Sequence, residues 1–238
     1  MSMVIGYLIV VVLAALALTR LPSALAGRNL TVVLSAVTIV AAFALITPAV
    51  YSGLGRLIPV PNGVDLVAKL LLFTGLLLAG SAVARAYGAP RTQRLVSGLP
   101  GAAVFIVLML AEVAVFAVVH TGRLAPDLAG DLGNPLVRVY STLATAYPAY
   151  IALLLVPLVR RGLSSGELSA RMTSRFLLVG FLLALLRFVV ALVTLVVPAA
   201  YYPGQVISGV AAIAVAAGLA CAFFARVGRE RRTQRQFT

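Results

Sequence analysis

The sequence predicts an all-α, polytopic membrane protein: a bundle of seven transmembrane helices with its N-terminus outside and its C-terminus in the cytoplasm. Three observations predict it. The 238 residues are 62% hydrophobic and 11% charged, with a mean hydropathy of +1.11, a composition that no water-soluble domain of this length shows. Seven apolar runs recur along the chain, each long enough as a helix to cross about 30 Å of hydrocarbon and too long for a barrel strand. The arginines fall on alternate connections between those runs.

The first run, 3–19, has no basic stretch before it and no small-residue cleavage site after it, so it reads as a retained helix and not as a secretory signal. The second, 30–52, is uninterrupted as far as Thr47-Pro48 and is read as one span. The third is 64–84 and the fourth 100–119; the fifth, 136–159, contains Pro148, which frees a backbone carbonyl inside a helix and predicts a kink. The sixth is 176–197. The seventh, 205–225, carries Ser208, Ala212, Ala216 and Ala220 at every fourth position, a smooth stripe that lets another helix approach closely. Residues 1–225 thus form one membrane domain, and 226–238 a basic cytoplasmic tail.

Orientation follows from charge. Arg20, Arg28, Arg85, Arg91, Arg94, Arg160, Arg161, Arg171 and Arg175 lie on one set of connections, with Arg226, Arg229, Arg231, Arg232 and Arg235 after the last span; the opposite connections hold Arg56, Arg123 and Arg138 beside Asp127 and Asp131. The positive-inside rule puts the first set in the cytoplasm. Tyr7, Tyr51, Tyr201 and Tyr202 then fall at the outer interface and Tyr87, Phe223 and Phe224 at the inner one. In the inner connection, Ser164-Ser165-Gly166-Glu167 has capping-box spacing before Leu168, Met172 and Phe176, which predicts a short interfacial helix leading into the sixth span.

The same features exclude functions. No aqueous connection is long enough to fold as a catalytic domain, and no phosphate-cradling glycine loop, nucleophile elbow or catalytic triad is present, so the chain does not read as an enzyme. The single Cys221 lies in an apolar run and the single His120 at a helix end, which leaves no metal site and no cofactor motif. A net charge of +13 raises nucleic acid as a partner, but the arginines are distributed as topology anchors, which argues against it. The partners that remain are the lipid bilayer, anionic lipid at the basic tail, a cytoplasmic protein and a second copy of the chain.

Four ionisable residues lie within the spans: Asp65 and Lys69 in the third, Glu112 in the fourth and Arg187 in the sixth. An arginine at mid-membrane costs about 2.5–3.5 kcal/mol on insertion scales, so it needs a partner, a hydrated cavity or a task. Glu112 and Arg187 are both roughly 17–18 Å from the inner boundary at about 1.5 Å per residue, which makes each the expected partner of the other. The pair is either a static clasp between helices or a polar site where Glu112 exchanges a proton or Arg187 meets an anionic group. Asp65 and Lys69 are four apart, the spacing of an intrahelical ion pair with the lysine snorkelling outward; the alternative puts them at the mouth of an outer cavity with Tyr147, Pro148 and Tyr150.

Two further patterns bear on architecture. Pro48-Ala49-Val50-Tyr51-Ser52-Gly53 ends the second run, and Pro198-Ala199-Ala200-Tyr201-Tyr202-Pro203-Gly204 ends the sixth, which fits a 3+1+3 parallel repeat about the fourth span. The stretch from Phe43 to Phe73 holds Thr47-Pro48-Ala49-Val50-Tyr51, then Arg56, then Val60-Pro61-Asn62, and Arg160-Arg161 and Leu186-Arg187 follow further on. In these residues the chain resembles a family of actinobacterial seven-helix membrane proteins described as transporters, many of them associated with an immunity-repressor-type regulator and its metalloprotease partner. That resemblance implies that Thr47, Pro48, Tyr51, Arg56, Pro61 and Asn62 join the second and third helices.

The expected function is transport or binding of a small solute at a polar centre near Glu112 and Arg187. The alternatives are a membrane sensor or accessory subunit that signals to a separate cytoplasmic protein, and a structural subunit of a membrane complex.

Overall fold

Proline and glycine decide where each helix starts and stops. The computed structural model describes residues 30–57, 60–119 and 126–236, with isolated helical positions between Tyr7 and Leu18, and of residues 126, 127, 129 and 223–236 the backbone alone. The first expected span, 3–19, lies for the most part outside the described residues, as does His120. The described residues are all-helical: α1 (Leu30–Leu45), α2 (Pro48–Gly55), α3 (Gly63–Ala86), α4 (Pro90–Ser97), α5 (Leu99–Val118), α6 (Pro135–Gly162), α7 (Leu168–Thr194) and α8 (Tyr201–Gln236), with 3-10 turns at Pro126–Asp131 and Pro198–Ala200. Pro48, Pro90, Pro100, Pro135 and Pro198 each stand in the first turn of an element, where the missing N–H is no loss.

Five helical stretches are long and apolar enough to cross a membrane, and six if the bent pair α1–α2 counts as one. That pair corrects the second expected span. Helix α1 stops at Leu45 and α2 leaves it at 77°. The cause is Thr47, which precedes proline and is held extended at φ −68°, ψ 138°; its hydroxyl turns back to the Ala44 carbonyl at 2.7 Å and satisfies the helix end. At about 1.5 Å per residue, α1 alone spans roughly 24 Å, short of a bilayer core.

The expected interfacial helix before the sixth span is also absent as a separate element. Leu168, Met172 and Phe176 belong to the first turns of the continuous α7, on an exposed stripe, and its N-cap is Glu167 without a side-chain cap; Ser165 Oγ accepts only from the Glu167 N–H at 3.3 Å. A short surface helix lies instead at α4, where Val96 is buried and Arg91 and Arg94 are exposed. Gly98 and Gly101 let the chain turn from α4 into α5, since a Cβ on Gly101 would fall 2.1 Å from the Val96 carbonyl oxygen. Of the expected interfacial tyrosines, Tyr51 and Tyr201 are buried in the bundle and Tyr202 is exposed.

Side-chain contacts fix how the helices run. Thr142 Oγ1 donates to the Ala191 carbonyl at 3.0 Å near one end of the α6–α7 pair, and Gly162 abuts Ser174 at the other, so the two are antiparallel. Helices α7 and α8 pack closely through glycines: Gly180 lies against Ala211 and Val215, and Gly218 against Leu177. Helices α3 and α6 are parallel, with Asp65 beside Tyr140 and Phe73 beside Tyr147. Helix α5 runs against both, Phe116 meeting Tyr140 and Phe105 meeting Tyr147. Ser35 and Gly75 lock α1 to α3 through a 2.9 Å hydrogen bond, and Ala212 and Ala216 of the small-residue stripe pack on Ile39, Val40 and Phe43. The ends of these helices separate one arginine-rich face, with Arg85, Arg91, Arg94, Arg160, Arg161, Arg171 and Arg175, from one that holds Arg56 and Arg138.

Candidate functional site

Asp65, Lys69, Glu112 and Arg187 expose 1%, 8%, 0% and 5% of their surface, so all four are turned into the bundle. That differs from the snorkelling expected of Lys69. An inward-facing charge in a membrane protein is held by other polar groups or lines a route through the protein.

The first three sit where α3, α5 and α6 meet. Lys69 Nζ is 3.3 Å from Asp65 Oδ2, a turn apart on α3, and Tyr140 of α6 donates its hydroxyl to the same carboxylate oxygen at 2.9 Å. The ammonium also lies 3.3 Å from the centre of the Tyr140 ring, a cation–π contact. Asp65 therefore accepts from a lysine and a phenol, while Tyr140 serves both charges, one with its hydroxyl and the other with its face.

Glu112 is placed by its helical neighbours. It shares a face of α5 with Phe105, two turns below, and Phe116, one turn above; those rings contact Tyr147 and Tyr140 at 5.5 and 5.9 Å. Its carboxylate thus lies at a height between the two tyrosines, the height of Lys69, whose helix packs on α5. Below this level the interior is aromatic, with the Tyr147 ring against Phe73 at 5.1 Å and Phe105 at 5.5 Å.

Arg187 lies between α7 and α8. Its Nε donates to Ser208 Oγ at 3.1 Å, and the guanidinium rests flat on the backbone of Gly204, where an added Cβ would be 3.0–3.2 Å from three guanidinium atoms. Ala191, one turn above Arg187, touches Thr142 of α6, so Arg187 stands roughly one turn below Glu112 in height. Helices α5 and α7 both pack on α6, while the Arg187 guanidinium itself is turned to α8.

The outer group expected from sequence divides. Asp65 and Lys69 meet each other, while Tyr147 is fully buried among the rings and Tyr150, 6.2 Å from it, donates its hydroxyl to the Leu95 carbonyl towards the arginine-rich end. Pro148 is half-buried within α6, which continues through it as one element. Two clefts, of about 330 and 350 Å³, lie at opposite ends of the bundle and neither is lined by Asp65 or Lys69.

The family-like residues form the connection between α1 and α3. Tyr51 donates to Asn62 Oδ1 at 2.6 Å, both buried, and Asn62 holds the left-handed conformation (φ 58°) that starts α3. Thr47 and Pro48 make the bend, and Arg56 and Pro61 are exposed. Sequence reasoning passed over Tyr140; its signal was the seven-residue spacing to Tyr147, which puts both rings on one face of α6.

Compared with protein-family models, curated proteins and solved structures, the chain matches none. The site's chemistry alone carries the functional reading.

Proposed function

We propose that this multi-pass membrane protein moves a small solute across the cytoplasmic membrane of a bacterium, with the buried set Asp65, Lys69, Glu112 and Arg187 as its polar centre. The observation that carries the proposal is the burial of all four in the interior, away from the lipid face. Two acids and two bases make a formally neutral set, and a proton or an ionic solute group would unbalance it, so the set is suited to exchange one for another. Glu112 faces Lys69 across α3 and α5 in this reading, and Arg187 completes the centre from beyond α6. The reading takes the chain as seven spans with the N-terminus outside and the arginine-rich face in the cytoplasm, a 3+1+3 arrangement, and membership of the actinobacterial transporter-like family. The proline-started elements at Pro48 and Pro198 support the repeat.

A second reading, a sensor or accessory subunit acting on a cytoplasmic protein, is favoured by the surface helix α4 with exposed Arg91 and Arg94. Water access separates the two. Ser141 is 3% exposed and adjoins Tyr140; as Ser141→Cys in a Cys221→Ala background, it reacts with a small charged thiol reagent in membranes if the centre opens to water. An inert cysteine, together with a cytoplasmic protein that co-purifies with the wild type, would favour the second reading over transport.

A further inference from the structure

The cleft of about 330 Å³ at the arginine-rich end is distinct from the buried charges and has a lining of another kind. Five hydroxyls line it beside Gly162, Ala170 and Ala222: Ser165 just before α7, Ser169, Thr173 and Ser174 in its first turns, and Tyr87 from the end of α3. Ser169 and Thr173 are one turn apart on one face, and Tyr87 and Ser174 are already joined through their hydroxyls at 3.1 Å. Gly162 lets these two hydroxyls come close, since an added Cβ would fall 2.2 Å from Ser174 Oγ and 3.0 Å from the Tyr87 hydroxyl. The cleft's volume lies at the low end of the range of about 300–1,000 Å³ found for small-molecule sites.

The surroundings give the sign of the ligand. Arg85 precedes Tyr87 by two residues, Arg160 and Arg161 precede Gly162, and Arg226 follows Ala222, which lines the cleft, by one turn of α8. The acids at this end are Glu167, which is exposed, and Glu230, two turns beyond Ala222 in α8, against a larger number of arginines. A cluster of hydroxyl donors at the arginine-rich end of a helix bundle suits a phosphate group: hydroxyls bond its oxygens, and arginines close by in the sequence supply favourable charge. We propose that this cleft binds a phosphate monoester or diester, presented either by an anionic phospholipid headgroup or by a free phosphate in the aqueous phase. It is a site separate from the polar centre and does not depend on the transport reading.

The test uses the full chain in nanodiscs of phosphatidylcholine with and without phosphatidylglycerol, with retained lipid counted by native mass spectrometry and inorganic phosphate added as the competing probe. Wild type retains phosphatidylglycerol in preference to phosphatidylcholine. Ser169→Ala/Thr173→Val, which removes two donors at little change in volume, lowers that preference by about tenfold, and Ser169→Leu, which fills the cleft, abolishes it. Elution and circular dichroism establish that each variant is folded; the donor-deleting pair keeps the test open if Ser169→Leu is not. Competition by inorganic phosphate identifies the free ion as the source, and its absence identifies the lipid; either supports the site. A preference that both folded variants keep, and that salt alone removes, assigns the lipid to the basic tail and overturns the proposal.

Discussion

Two interfaces in this bundle hold buried charge by opposite means. Between α3, α5 and α6, large side chains compensate one another: Lys69 is set against Asp65 and the Tyr140 ring, and Tyr140 bonds Asp65 in turn. Between α7 and α8, small residues make room: Arg187 lies on bare backbone at Gly204 and donates to Ser208. The first depends on every member being present and the second on nothing being added. Removing atoms should therefore damage the first interface most, and adding atoms the second.

The largest effect expected is from Lys69→Met, which leaves Asp65 as a buried carboxylate without the ammonium; a loss of about 3–5 kcal/mol is expected, read as thermal unfolding in detergent. Adding Asp65→Asn should recover part of it, and a double variant as damaged as the two losses summed would break the idea of mutual compensation. Next comes Gly204→Val, expected to cost about 1–3 kcal/mol because its side chain meets the guanidinium, while Ser208→Val should do less. If Gly204→Val unfolds at the wild-type temperature, Arg187 does not lie where the second half of the comparison needs it. Tyr51→Phe, which removes the donor to buried Asn62, should cost about 1–2 kcal/mol and loosen the α1–α3 connection, visible as faster proteolysis near Arg56. Smallest is Ser208→Ala, at about 0.6–1.7 kcal/mol, the range of interhelical hydrogen bonds in membranes.

The long apolar helices α3, α5 and α6 were legible within a few residues, because apolar length and terminal prolines act locally; the end of α7 was legible too, but it begins at Leu168, well before the expected 176. The bend at Thr47-Pro48 was signalled by the proline, but hydropathy runs straight through it, and composition outweighed geometry in reading 30–52 as one span. Likewise, Leu168, Met172 and Phe176 keep the same spacing whether they start a separate helix or the first turns of α7. At the site, charge within a span identified all four ionisable residues. Their grouping was less legible, since depth along a helix fixes height but not which neighbour a face meets. Depth alone made Glu112 and Arg187 expected partners; the rings of Phe105, Phe116, Tyr140 and Tyr147 place Glu112 in height between the two tyrosines. Arg187 meets Ser208 and Gly204, the first noticed in the sequence for its small size and the second as the end of the Pro198 echo, neither as a partner for a charge.

The centre of the account is that these charges act as one neutral set, and a double-mutant cycle between Lys69 and Glu112 tests it most directly. Unfolding of Lys69→Met, Glu112→Gln and the double variant is measured under one condition. Glu112→Gln is expected to rescue Lys69→Met, with a coupling of about 0.5–3 kcal/mol. Strictly additive losses would mean that the two residues do not sense each other, and the single polar centre would have to be given up.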